Sequence, residues 1–352
     1  MKSLKVFLKK HNLEQTLVIG YYGGGNYGDE LLLEVLATML HEAEVEDVTI
    51  TYQQPKNYRT FHRDFGYKLV RMSDKIGVLK SMRANQNIIV GGGGLWGLDM
   101  NLNIFFLSLM LFIARFFLKK NVFLLGVGYY DSTSWLGRIS AFLAGKAATE
   151  IVARDKQTQA NFERITPNVT LDDDLAWELP KLSANHYQDD LAELNKSIQI
   201  TGKTLFITLR RFRPHQKNNY AQMIETFIMN NPERQVVVSL MEPKTVDPAG
   251  YQLIRSWRKK YKHVQITDFA YNPVALYLFF RMHRKNLAFM GPQFHVILVA
   301  SLAGVPFLPL SYDNKVSQLL EQLEADKPIA IGALRIPHLR TFADQFYQQG
   351  EG

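Results

Sequence analysis

The sequence predicts an α/β protein built from two Rossmann-like, doubly wound domains facing a cleft. Three observations predict it. Apolar runs of strand length alternate with helical patterns along most of the 352 residues. The alternation breaks in a polar stretch from Pro180 to Lys196 and then restarts. The length suits two domains better than one. The expected boundaries are 1–185 for an N-terminal domain and 186–352 for a C-terminal domain.

In chain order, Leu17-Val18-Ile19 is a strand that enters the turn Gly20 to Gly28, and a helix follows over 29–41. Val48 to Thr51 is a second strand. Segment 55–72, with His62 and several basic residues, reads as loop and short elements. Ile88-Ile89-Val90 is a strand ending in Gly91-Gly92-Gly93-Gly94, and an apolar helix follows over 102–118. Strand 122–126 ends in Gly126-Val127-Gly128, helix 134–148 follows, and Ile151 to Ala153 runs into Arg154-Asp155. Strands repeatedly followed by helices give a parallel sheet covered on both faces. Past the break, strands are expected at 205–209, 236–240, 264–266, 287–290 and 307–310. Helices are expected at 218–230, 249–261, 273–284, 294–303 and 315–325, with a polar tail after the last.

Composition bounds the function. The chain has no cysteine, which excludes disulfides and thiolate metal sites and fits a reducing compartment. A net charge of +8 favours anionic partners: nucleic acid, acidic lipid or a phosphorylated substrate. The basic residues are not interleaved with aromatics in a nucleic-acid module, so no nucleic-acid partner is expected. No phosphate loop of the GxxxxGK[ST] form, no GxSxG elbow and no metal-ligand spacing is present. The N-terminus lacks a signal-peptide pattern, and a cytoplasmic location is expected. Residues 102–118 are apolar enough to need a membrane test. Their length sits at the short limit of a span, and Arg115 lies inside. A helix buried against the sheet is the expected outcome, with a lipid-touching face as the alternative.

Ligands of open parallel sheets bind beyond the carboxyl ends of the strands. Gly23, Gly25 and Gly28 satisfy G-x-G-x-x-G, but no acid follows the second strand to hold a ribose. Asp29 would also meet a pyrophosphate with negative charge, so a dinucleotide is not expected. Asn26 and Asp29 suit helix capping and equally suit ligand binding. Gly91 to Gly94 permits close approach of a ligand or of another backbone. In the second domain Arg210, Arg211 and Arg213 leave a central strand, His295 opens a helix, and Lys315 follows the last strand. Guanidinium groups bind carboxylate and phosphate through paired hydrogen bonds. A helix N-terminus disfavours the cationic form of a histidine, which keeps it usable for acid–base work.

Six of these segments, in order, resemble the motifs of the polysaccharide pyruvyl transferase family. Gly20 to Glu30 is similar to its N-terminal signature, Gly91 to Leu95 to its second glycine motif, and Gly126-Val127-Gly128 to the next strand end. Arg154-Asp155 resembles its RD motif and Asp174 to Trp177 its D-P-A-[FW] segment. Gly291 to Val316 resembles its C-terminal signature. The likeness is collinear from about residue 17 to 320. Two positions depart from the pattern. Gln293 stands where the family has arginine, and Tyr129-Tyr130-Asp131 follows Gly128 where the family continues Gly-Pro.

The resemblance implies a GT-B-like fold. It also implies transfer of a pyruvyl group from phosphoenolpyruvate to a sugar diol, forming a cyclic ketal. His295 would be the general acid and Asp29 a base. Arg210, Arg211, Lys315 and Gln293 would hold the donor. Gly23, Gly25, Asn26, Gly28, Gly93, Gly94 and Arg154 would line the acceptor side. No cofactor or metal is implied beyond the donor substrate. The implied acceptor is an exopolysaccharide or cell-wall glycan precursor, or a lipid-linked oligosaccharide at the inner membrane face. Two other readings keep the fold: a nucleotide-sugar glycosyltransferase, and a non-catalytic glycan-binding member.

Overall fold

Near-continuous apolar runs in the central strands give each sheet two buried faces, and the computed structural model shows two such sheets. It describes residues 4–54, 58–97, 101–130, 134–210, 219–267, 272–312 and 314–348. The chain forms two units: Met1–Gly24 with Asp29–Leu182, and Gly25–Gly28 with Ser183–Gly352.

The first unit holds seven parallel strands: β1 Thr16–Ile19, β2 Val48–Tyr52, β3 Lys68–Arg71, β4 Asn87–Trp96, β5 Asn121–Tyr129, β6 Glu150–Ala153 and β7 Val169–Leu171. Their spatial order is β3-β2-β1-β4-β5-β6-β7, with the reversal between β1 and β4 that marks a doubly wound sheet. Leu17 and Ile19, Ile88 and Val90, and Val122 and Leu124 share one face by the period of two. They pack with the helices Lys75–Ala84, Leu102–Phe116 and Trp135–Ala147.

The second unit repeats the plan with β8 Thr204–Thr208, β9 Gln235–Ser239, β10 Val264–Thr267, β11 Leu287–Gly291, β12 Phe307–Ser311 and β13 Ile329–Ala330. Their order is β10-β9-β8-β11-β12-β13. Leu205, Ile207, Val236, Val238 and Met290 form its core with Ile224, Trp257 and Phe346 from the covering helices.

Several elements differ from expectation. β3 lies within the segment read as loop and short elements without a strand being named, because its half-exposed Lys-Leu-Val-Arg run carries little strand signal. The strand expected to stop at Gly91 continues through all four glycines to Trp96. Gly92 and Gly93 take φ of 68° and 86°, which keeps the chain extended but bent. A 3₁₀ turn at Leu175–Lys181 leads into the polar break, which holds a second at Ala184–Tyr187 and most of a helix, Gln188–Ser197, that buries Leu191 and Leu194. The polar tail is a helix, Ile336–Gln348, whose Leu339, Ala343 and Phe346 recur at helical spacing and are buried.

Helix Leu102–Phe116 is capped by Asn101, whose side chain accepts from the Asn103 and Ile104 N–H groups. It buries Leu107, Leu111 and Ala114 and leaves Phe106, Ile113 and Phe116 exposed, so burial holds for one face only. Among the described residues, no helix is long and apolar enough to cross a membrane.

Candidate functional site

The motif residues of the first unit gather at the carboxyl ends of β1, β4, β5 and β6. Tyr22 folds back over the glycine turn and donates its hydroxyl to the Gly91 carbonyl. A Cβ on Gly20 would overlap the Tyr22 ring, and one on Gly91 would reach 2.7 Å from its hydroxyl. The two glycine motifs are therefore joined through one buried tyrosine. Asp29 lies in the first turn of the helix Tyr27–Glu42, and a Cβ on Gly93 would lie 3.6 Å from its Oδ1. The bare backbone of Gly93 thus lies next to the Asp29 carboxylate.

Below this surface is a charged group that residue patterns did not reveal. His62 donates from Nε2 to Glu30 at 2.8 Å and from Nδ1 to Glu34 at 2.9 Å. All three side chains are fully buried. Both ring nitrogens face carboxylate oxygens, so an imidazole protonated on both satisfies the two contacts at once. Burial lowers the His62 pKa, but its hydrogen bonds to Glu30 and Glu34 outweigh that and raise it to about 9. Glu30 also accepts from the Gly23 N–H at 3.1 Å and from the Tyr52 hydroxyl at 3.4 Å. The group therefore fixes the backbone of the glycine turn from beneath. Glu30 and Glu34, four apart within Glu30 to Leu36, were the available signal: two carboxylates on an otherwise apolar helix need a buried partner.

Arg154 ends β6 and is likewise committed. It donates to Asp174 at 3.0 Å and to the Tyr130 hydroxyl, and its Nε lies 3.8 Å from Asp155. Burial alone would lower its pKa, but Tyr130 and the two aspartates hold it above the usual guanidinium range. A Cβ on Gly94 would lie 3.4 Å from its Nη2 and one on Gly128 3.1 Å from its Nε. Four motif segments, those of Gly94, Gly128, Arg154-Asp155 and Asp174, thus meet at one guanidinium. Asp155 caps the next helix by accepting from the Thr158 N–H at 2.7 Å.

The second unit collects a different set at the ends of β8, β11 and β12. Arg210 follows β8. Its guanidinium donates to the Tyr312 hydroxyl and lies 3.9 Å from the centre of that ring. Among the described residues no carboxylate pairs with it. Gln293 accepts from the Thr208 hydroxyl and donates to the Leu209 carbonyl at 2.7 Å, so its amide is tied to the end of β8. Its partner strand comes close here, since a Cβ on Gly291 would overlap Thr208. His295 lies in the first turn of the helix Phe294–Ala303 and Lys315 in the first turn of Asn314–Gln322; both are half-buried. Arg211 and Arg213 lie outside the described residues.

Gly25, Asn26 and Gly28 belong to this second unit. Gly25 has φ of 78°. Asn26 accepts from the Gly28 N–H at 3.1 Å, a helix cap of the kind its residue type suggests. Tyr27 donates to the Pro273 carbonyl at 3.0 Å. A Cβ on Gly28 would overlap the His295 imidazole, so the absence of a side chain there sets where that ring sits.

The model of the family described as polysaccharide pyruvyl transferase matches residues 26–314. The chain belongs to the polysaccharide pyruvyl transferase family. It is a transferase family, and the match spans every motif segment from Asn26 to the end of β12. No curated protein sequence matches the chain. Among solved structures it is similar to the UDP-GlcNAc 2-epimerase of Methanocaldococcus jannaschii, at 12% identity and a TM-score of 0.60, covering 96% of this chain and 93% of that one. It is similar to the UDP-N-acetylglucosamine 2-epimerase of Rickettsia bellii, at 12% identity and a TM-score of 0.58, covering 97% and 91%. It is also similar to HepE of Anabaena, solved with UDP and glucose, at 11% identity and a TM-score of 0.57, covering 96% and 90%. At such identities the likeness shows the fold, two parallel-sheet α/β domains of the GT-B-like kind.

Proposed function

We propose that this family member transfers the three-carbon unit of phosphoenolpyruvate to two hydroxyls of one sugar, forming a cyclic pyruvate ketal and releasing phosphate. Arg210 is the observation that carries the reading. A half-buried guanidinium oriented by Tyr312, with no carboxylate partner among the described residues, suits an incoming carboxylate or phosphate. Phosphoenolpyruvate offers both. Lys315 and Arg211 add positive charge. Gln293, whose amide is held by Thr208 and Leu209, shapes the wall beside them rather than supplying the family's cation.

The reaction then balances as follows. His295 gives a proton to the methylene carbon of the donor, which becomes the methyl group. The adjacent carbon takes electrons from the first sugar hydroxyl and forms a C–O bond. Its bond to the phosphate oxygen breaks, with the electron pair leaving on phosphate. The second hydroxyl forms the other C–O bond and closes the ketal. Of the two hydroxyl protons, one restores His295 and the other leaves with phosphate. Asp29 is the base that takes the second of these hydroxyl protons and passes it to the departing phosphate. The backbone at Gly23, Gly25, Gly28, Gly93 and Gly94, with Asn26, orients the sugar, and Arg154 fixes the strand ends behind it. No cofactor or metal takes part. The acceptor is a glycan precursor of an exopolysaccharide or cell wall, free or lipid-linked, met in the cytoplasm.

Calorimetric titration tests the donor. Phosphoenolpyruvate should bind and UDP-glucose and UDP-GlcNAc should not. Binding of the UDP-sugars alone would replace this reading with nucleotide-sugar transfer. If His295→Ala leaves the rate unchanged, the assigned acid is wrong.

A further inference from the structure

The first unit contains a cavity of about 640 Å³, a size that holds a sizeable organic ligand. Its wall is mostly apolar: Val78, Leu95, Ile104, Leu107 and Met110 line it. Tyr21 of the glycine turn and Phe106 also line it, and both are more than half exposed, at 58% and 55%. The cavity therefore opens between the end of β1 and the outer face of helix Leu102–Phe116.

That outer face is itself apolar. Phe106, Ile113 and Phe116 repeat at helical spacing and are exposed. Helix Trp135–Ala147 packs beside it and exposes Trp135, Ile139 and Phe142 at the same kind of spacing. Contiguous exposed apolar side chains of this size mark an interaction surface. Cations accompany them: Arg138 and Lys146 are exposed on the second helix, with Lys146 5.8 Å from the Phe142 ring, and Lys119 is exposed just past the first. Neither helix carries an acidic residue. Apolar anchors with basic neighbours and no acid match an anionic bilayer surface.

We propose that this helix pair docks on an anionic bilayer and that the cavity behind Phe106 takes a hydrocarbon chain of a lipid from it. The inference stands apart from the pyruvyl transfer reading, since it concerns binding alone.

Vesicle co-sedimentation tests it. The full chain should bind phosphatidylglycerol vesicles, bind phosphatidylcholine vesicles weakly, and release as salt rises. Phe116→Ser with Trp135→Ser, both at exposed positions, should weaken binding at least about tenfold while the thermal melt is unchanged. A phosphatidylglycerol probe with a photoreactive group along its acyl chain should label the peptide containing Ile104 and Met110. Ile104→Trp, which fills the cavity, should abolish that label and leave vesicle binding intact. The proposal is overturned if wild type ignores anionic vesicles, if the double variant binds them equally, or if the acyl probe labels elsewhere. A dimer that the same double variant dissolves, without vesicle binding, would instead assign the face to self-association.

Discussion

The strand ends of the two units handle charge in opposite ways. In the first, every buried charge described above has a counter-charge within the chain: His62 between Glu30 and Glu34, and Arg154 between Asp155 and Asp174. In the second, Arg210 rests on Tyr312 with no carboxylate pairing it among the described residues. Charges neutralised internally fix backbone shape, because each loses its desolvation cost only in one geometry. A cation held by an aromatic ring keeps its attraction for an anion that arrives later. Under the proposed function, the paired charges of the first unit hold its strand ends in place and Arg210 of the second is left for the donor.

Substitutions should sort the same way. His62→Ala leaves Glu30 and Glu34 buried together and should cost about 3–5 kcal/mol of stability, read from urea unfolding. A loss under about 1 kcal/mol would mean that the group is not charged as described. Arg210→Ala should do the reverse. Its melting temperature should stay near wild type while kcat/KM for phosphoenolpyruvate falls about 100-fold, close to 3 kcal/mol. Equal effects of both on stability would erase the contrast.

A pH series sharpens it further. The His62 pKa rises on folding from 6.5 to about 9. Its contribution to stability is whole below the unfolded value, shrinks as pH rises from 6.5, and is lost once pH passes about 9. The melting temperature should fall across that window in wild type and not in His62→Ala, measured by calorimetry. The smallest effect belongs to the contact that sets the acid. Gly28→Ala should displace the His295 ring and lower kcat about tenfold, with binding of phosphoenolpyruvate unchanged.

Much of the fold was legible, because central strands such as Val236 to Ser239 are continuous apolar runs with one interpretation. β3 and the edge strand Ile329–Ala330 were not, since short edge strands are half exposed and carry little apolar signal. The glycine segments were visible as turns but not as strand. Only the ladder between β4 and β5, with pairs such as Gly93 to Val127, shows that they stay paired. Arg210, His295 and Gly28 were legible as strand-end and helix-start residues. His62 was not, because a lone histidine in a polar segment does not announce that two carboxylates from another element enclose it. The close approach of Gly28 to His295 was invisible for the same reason: the residues are 267 apart and only the fold joins them.

The most direct test of the central claim is phosphate release from phosphoenolpyruvate, measured against a panel of glycosides with neighbouring free hydroxyls. Wild type should release phosphate only when a matching glycoside is present, in step with formation of a ketal-linked product, and Arg210→Ala should lose that release while remaining folded. Release at equal rates with and without glycoside, or full release by Arg210→Ala, would contradict the account.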